Sequence, residues 1–247
     1  MEGHTDSVYC VRIDSKPGSR DRTIKIWDGD SGMCLCTLTG HEGSVLCMDF
    51  DEEVLLTGSS DSNVFIWDLT KIDQGKEPTI IKVLTEHTAG VLDVNIFDHY
   101  VMTCSKDATC RVYDRHDDYK TVHVYRRHGG PVNAGGISSL DGVLHAVTAS
   151  GEGSIQMWNL LTGELIRTFD GHTKGLACVD IIGHTVISGS SDHTVRVWDA
   201  KTGECLVRCD AHTDLVRAIA FDDVRKILIS AGYDGHVKLF DLRRHLL

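Results

Sequence analysis

The 247-residue chain contains no stretch approaching the roughly 20 apolar residues of a membrane span, and its N-terminus lacks the charged and apolar segments of a secretory signal. It also lacks positive charge: 25 Lys and Arg against 36 Asp and Glu leave a formal net charge of -11. Such a chain repels phosphate backbones and acidic membranes, so any anion it binds needs a local basic site. The expectation is a soluble intracellular protein, cytoplasmic, nuclear or both, with neither nucleic acid nor membrane as partner. Nine cysteines are present, but spacings such as Cys34-x-Cys36 and Cys205-x-x-x-Cys209 match no paired zinc-ligand pattern, and the odd number makes no closed disulfide framework. Gly151-Glu152-Gly153 has no helix-forming run after it, which excludes a phosphate loop and leaves a turn between strands. No metal, cofactor or catalytic residue is expected.

What the sequence has is repetition. A His, an apolar segment, an acidic turn and an aromatic-Asp ending recur six times at about 40 residues. The units span approximately 3–28, 40–68, 86–114, 127–159, 171–199 and 211–242, within one domain over 3–242. Each carries an acid six residues before its closing aromatic: Asp21, Asp61, Asp107, Glu152, Asp192 and Asp234. Short strands are predicted at Val45 to Phe50, Val54 to Thr57, Asn63 to Trp67 and Cys34 to Leu38, four per unit. The first strand of each is nearly all apolar, as a sheet covered on both faces requires. One such sheet cannot bury both faces alone. Sheets packed around an axis can, so the fold class is all-β, a β-propeller.

These residues resemble the WD-repeat family, from Gly3 to Leu242. In that family the His, a Ser or Thr, the acid and the Trp form one hydrogen-bonded set per blade. The resemblance implies full sets at His41, Thr57, Asp61, Trp67 and at His172, Ser188, Asp192, Trp198. Because the His-acid pair recurs in every unit, it reads as blade structure; a catalytic dyad would be a single constellation with its own nucleophile. Cys10, Cys47 and Cys178 fall at one equivalent place and read as small buried hydrophobes.

Two places break the pattern. In unit one the His-to-aromatic spacing is 23 instead of 26, and Ser15-Lys16-Pro17-Gly18 replaces the second strand, with Pro17 where the hydroxyl belongs. Proline supplies neither hydroxyl nor ladder donor, so blade one should be locally weak. The six units also hold only five outer strands. Either six blades form a ring with one exposed edge, or the ring is an incomplete seven-bladed one.

Strands running alternately down and up bring the loop before the first strand and the turn between the second and third to one face. Arg20, Ser60, Lys106, Gly151, Ser191 and Tyr233 precede the turn acids; Tyr9, Ser44, Leu92, Asn133, Lys174, Leu215 and Arg217 open the first strands. Arg20, Lys106, Lys174 and Arg217 should converge on one mouth as an anion site, flanked by Tyr9, Leu92, Leu215 and Tyr233 for apolar side chains. A six-residue insertion in Leu69 to Pro78 forms a charged loop on the opposite face, which a generic scaffold for signalling or RNA-processing complexes would use instead.

Runs such as Thr57-Gly-Ser-Ser-Asp-Ser62, Thr103-Cys-Ser-Lys-Asp107 and Ala231-Gly-Tyr-Asp-Gly235 resemble, more narrowly, the propeller of the beta-transducin-repeat-containing F-box proteins, substrate receptors of cullin-RING ubiquitin ligases. That resemblance implies recognition of a doubly phosphorylated Asp-Ser-Gly degron on the loop face, with twelve of the thirteen residues above, all but Lys174, at matching positions. Lys174 stands where the family has arginine, and the family's basic contact from a seventh blade has no counterpart. The chain opens at its first repeat, so a link to the ligase core is expected only through an F-box it does not carry.

Overall fold

The computed structural model describes residues 3–12, 16–19, 21–72, 75–210 and 212–244, and turns each predicted repeat into one antiparallel sheet. Blade one holds β1 (Val8–Arg12), β2 (Lys16–Ser19), β3 (Ile24–Trp27) and β4 (Cys34–Leu38). Blade two holds β5 (Val45–Phe50), β6 (Val54–Ser59), β7 (Val64–Asp68) and β8 (Thr79–Leu84). Blade three holds β9 (Val91–Phe97), β10 (Tyr100–Ser105), β11 (Cys110–Asp114) and β12 (Lys120–Tyr125). Blade four holds β13 (Val132–Leu140), β14 (Val143–Ser150), β15 (Ile155–Asn159) and β16 (Leu165–Phe169). Blade five holds β17 (Leu176–Ile182), β18 (Thr185–Ser190), β19 (Thr194–Asp199) and β20 (Cys205–Asp210). Among the described residues blade six holds β21 (Val216–Asp222), β22 (Ile227–Gly232) and β23 (Val237–Asp241). In every sheet the strands lie side by side in chain order, so each is a meander of hairpins. No helix among the described residues is long and apolar enough to cross a membrane.

In blades two, three and five the most buried strand is the second, not the first. Every residue of β6, β10 and β18 is buried, whereas β5, β9 and β17 are buried only in part. A second strand has a strand on each side and a blade on each face. A first strand borders the central channel, so its apolar run serves inter-blade packing while its edge stays open. Consecutive first strands touch from β1 through β21, and glycine allows the closest approach. A Cβ on Gly58 would sit 2.8 Å from Val91 of the next blade, and one on Gly189 2.7 Å from Val216.

Among the described residues the packing loosens between blade six and blade one. Val45, Val91, Val132, Leu176 and Val216, one per blade at the same register, are buried against the preceding blade, but their counterpart Val8 is 45% exposed. On the other side of the gap Val237 and Leu239 are 72% and 65% exposed, while their blade-five counterparts Val195 and Val197 are fully buried. The expected bare edge strand is thus accompanied by two bare apolar faces, each of which buries a neighbour everywhere else in the ring. Val195→Asp should therefore cost more than about 3 kcal/mol by burying an unpaired carboxylate. Val237→Asp, with the same strand propensity, should change stability by less than about 1 kcal/mol. Urea unfolding of the two variants checks this; equal losses would mean that the blade-six face is covered.

Blade one shows the damage expected of Pro17 in a modified form. The second strand survives as β2, which among the described residues pairs with β3 at Gly18 and Ile24. By register Pro17 stands where Thr57 stands in blade two. The buried His4 Nε2 and Trp27 Nε1, whose counterparts share the Thr57 hydroxyl, have no partner among the described residues. Each such orphan costs on the order of 1–3 kcal/mol.

Candidate functional site on the loop face

The mouth of the ring is built by the His-acid sets. In blade two His41 Nδ1 lies 2.9 Å from Asp61 and Nε2 2.9 Å from the Thr57 hydroxyl, to which Trp67 Nε1 donates at 3.0 Å. Blade five repeats this with His172, Asp192, Ser188 and Trp198. Blade four adds a third complete set that the sequence reading did not single out, with Glu152 in place of Asp beside His128, Thr148 and Trp158. Besides its His, each acid accepts a backbone N–H from the loop leading to the first strand: Thr5, Glu42, Thr88, Gly129, Thr173 and Thr213. One carboxylate thereby holds that loop against the turn between strands two and three. Burial lowers the pKa of His41, His87, His128 and His172 below the ordinary imidazole value, more than the neighbouring carboxylates raise it. For Asp107 burial pushes upward, but hydrogen bonds from Thr109, His87 and Thr88 prevail and bring it to about 2.

The same architecture fixes the predicted face. Ser60 N–H donates to the Ser44 carbonyl at 2.9 Å, Lys106 to Gly90 at 3.0 Å, Gly151 to Pro131, Ser191 to Gly175 and Tyr233 to Leu215, each at 2.9 Å. The turn of one blade also leans on the leading loop of the next: a Cβ on Gly90 would meet Ser60, and one on Gly175 would meet Gly151. Gly151-Glu152-Gly153 is the turn it was expected to be, with Gly153 at φ +101°.

Beneath these loops the first strands enclose a central cavity of about 670 Å³. Of the predicted site residues Tyr9, Leu92, Asn133 and Arg217 line it. Ser44, Ser60, Lys106, Gly151, Lys174, Ser191, Leu215 and Tyr233 are not in its wall and belong to the loops around its rim. Asn133 Nδ2 donates to the Leu176 carbonyl of the next blade, a structural tie that engages part of this amide. Arg20 lies outside the described residues. Lys106, Lys174 and Arg217 are exposed, and among the described residues none of the three has an ion pair with a carboxylate. Tyr9 and Tyr233 are exposed, and Leu92 and Leu215 half-buried.

Sequence reasoning missed the acids of the channel. Asp49, Asp93 and Asp180 line the cavity from β5, β9 and β17, and their signal was a carboxylate inside an otherwise apolar first strand. Asp49 accepts the Ile96 N–H at 2.8 Å and Asp93 the Gly135 N–H at 2.9 Å, so these two tie neighbouring blades together. A phosphate entering the bore would meet this negative wall, whereas the rim above offers cations. Cys10, Cys47 and Cys178 line the same wall; Cys178 donates to the Val216 carbonyl, and burial pushes its thiol up to about 12. The cavity wall, more than a dry core, is their place, but that thiol stays protonated.

Comparison with known families matches the WD domain, G-beta repeat at residues 1–28, 32–68, 78–114, 163–199 and 203–241. The chain belongs to this family. The unmatched stretch is blade four, the one with Glu152 for Asp, although its sheet and hydrogen-bonded set are intact. Among relatives, the chain is 24% identical to mitochondrial division protein 1 of Vanderwaltozyma polyspora over 76% of this chain and 31% of that protein. It is 29% identical to autophagy-related protein 16 of Arabidopsis thaliana over 66% and 31%, and 29% identical to cell division control protein 4 of Candida albicans over 55% and 21%. The chain thus spans about a third or less of these proteins' lengths. The crystal structure of the computationally designed Ika8 protein superposes with a TM-score of 0.80 at 26% identity, covering 97% of this chain and 72% of that one. WD propellers are in general protein-interaction scaffolds rather than enzymes.

Proposed function

We propose that the loop face binds a phosphorylated protein segment, and that the domain works as the substrate-recognition part of a ubiquitin-ligase assembly without chemistry of its own. One observation carries the reading: Lys106, Lys174 and Arg217 stand exposed on one face without ion-pair partners among the described residues, in a chain of net charge -11. Elsewhere Arg115 and Lys201 are held by carboxylates, whereas these three cations gather on one face. The acids would keep a phosphate out of the bore, with the lysines acting as point charges at the rim and Arg217, on the cavity wall, able to make two parallel charge-assisted hydrogen bonds to it. Tyr9, Leu92, Leu215 and Tyr233 would take the apolar side chains of the same segment. Arg20 joins the site in this reading, with Ser44, Ser60, Asn133, Gly151 and Ser191 as polar contacts. The likeness to beta-transducin-repeat-containing F-box proteins supports the degron assignment, delivery to the ligase core needing an F-box, in the cytoplasm or nucleus.

Fluorescence-anisotropy titration with a labelled Asp-Ser-Gly peptide, doubly phosphorylated or not, tests it. The phosphorylated form should bind at least about 100-fold more tightly, the equivalent of about 2.7 kcal/mol. Equal affinities would remove the phosphopeptide reading and leave a scaffold working through another surface, for which the loop between Leu69 and Pro78 is the alternative.

A further inference from the structure

We infer that the lower face of blade three holds a divalent transition-metal site, with Zn²⁺ as the fitting ion, formed by His99, Asp114 and His116. The three come from two connections on the face opposite the mouth: His99 from the turn between β9 and β10, Asp114 from the end of β11, and His116 from the short 3-10 turn Arg115–Asp117 that follows. Their ligand atoms lie within 4.8 Å of one another. The backbone sets that separation, because Asp114 is the register partner of Tyr100 and the Arg115 N–H donates to the His99 carbonyl at 2.8 Å.

The local chemistry suits a metal. His99 Nδ1 lies 2.8 Å from the Asp98 carboxylate, an arrangement that, with the proton on Nδ1, offers the Nε2 lone pair to a metal. This carboxylate-imidazole pairing commonly supports zinc-bound histidine. Asp98 reaches the position from a left-handed backbone conformation, φ +53°. Asp114 uses one oxygen to accept the His116 N–H at 2.8 Å, and among the described residues no hydrogen bond is made to the other. The His99 and His116 rings stack 4.8 Å apart at 4°. Parallel rings cannot aim both lone pairs at one ion, so His116, exposed on the 3-10 turn, must rotate to close the set to bonds of about 2.0–2.2 Å. Two imidazoles and a carboxylate leave a fourth position for water or a partner's side chain.

The other blades supply an internal contrast. Their closing residues Asp28, Asp68, Asn159, Asp199 and Asp241 also accept backbone N–H groups of the next turn, so capping alone does not explain the histidines. In blade five the positions of His99 and His116 hold His184 and Lys201, and Lys201 pairs with Asp141 at 2.8 Å. In blade three no Lys or Arg among the described residues forms an ion pair with Asp98 or Asp114, and the Arg115 guanidinium is engaged by Asp51 and Glu53 of blade two.

Calorimetric titration of the metal-free protein with Zn²⁺, together with Co²⁺ absorption spectra, tests the site. One equivalent should bind saturably, and His116→Ala and Asp114→Asn should each weaken it at least about 10-fold. The amide oxygen introduced by Asp114→Asn can still accept the His116 N–H, so the metal-free melting temperature of both variants should match that of the parent chain. His184→Ala should bind as the parent does. Absence of saturable binding, or binding that neither His116→Ala nor Asp114→Asn alters, would overturn the assignment.

Discussion

Lowering the pH from 7 to 4 is expected to destabilise the fold progressively. Burial holds His41, His87, His128 and His172 below their ordinary pKa in the fold, so below about pH 6.5 the unfolded chain binds protons that the folded one does not. Their stabilising contribution is complete above the unfolded value and is lost as the pH falls. Each costs up to about 1.4 kcal/mol per pH unit in that window. Four such groups act in the same direction on a domain stability of only about 5–15 kcal/mol. The carboxylates act lower: Asp107, at about 2 in the fold, contributes above pH 4 and is lost as the pH falls toward its folded value. Urea unfolding followed by circular dichroism at a series of pH values from 7 to 4 should show the stability falling once the pH drops below about 6.5. A stability unchanged across that series would mean that these imidazoles accept protons in place.

The triple variant Lys106→Ala, Lys174→Ala, Arg217→Ala is expected to lose at least about 1000-fold in affinity for the doubly phosphorylated peptide. Hydrogen bonds to charged groups contribute about 1.5–3 kcal/mol each, and about 1.4 kcal/mol is tenfold. Folding should be almost unaffected, because the three side chains are exposed and free of ion pairs among the described residues. Of the single variants Arg217→Ala should cost most, since Arg217 lines the cavity mouth and brings the planar fork that lysine lacks. Anisotropy for affinity and thermal melts for folding separate these effects; parent-like binding by the triple variant would show that the basic rim is incidental.

The blade pattern was legible because it is local: a His, a hydroxyl, an acid and an indole at fixed spacing announce one sheet, and the structure closes the set as read in blades two and five. The loop face was legible for the same reason, since strand direction alone carries Ser60 to Ser44 and Tyr233 to Leu215. What escaped depends on relations between blades. That the first strand would be the half-open one follows from the channel, which no single repeat encodes. Asp49 and Asp93 were passed over because their partners, Ile96 and Gly135, belong to the next blade. The bare faces at Val8 and Val237 are invisible in sequence, because the same apolar residues are buried elsewhere and only the ring's geometry distinguishes them. His99 and His116 escaped because a strand register, and not their spacing in the chain, decides that they meet.

Whether the mouth is the binding surface is most directly decided by amide hydrogen exchange with and without saturating doubly phosphorylated peptide. Slowed exchange should fall in the loops leading to the first strands and in the turns that pair with them, around residues 42–46, 88–92, 104–107, 172–177, 213–217 and 231–235. Protection confined to the loop between Leu69 and Pro78, or none anywhere on the loop face at saturation, would contradict the assignment of that face.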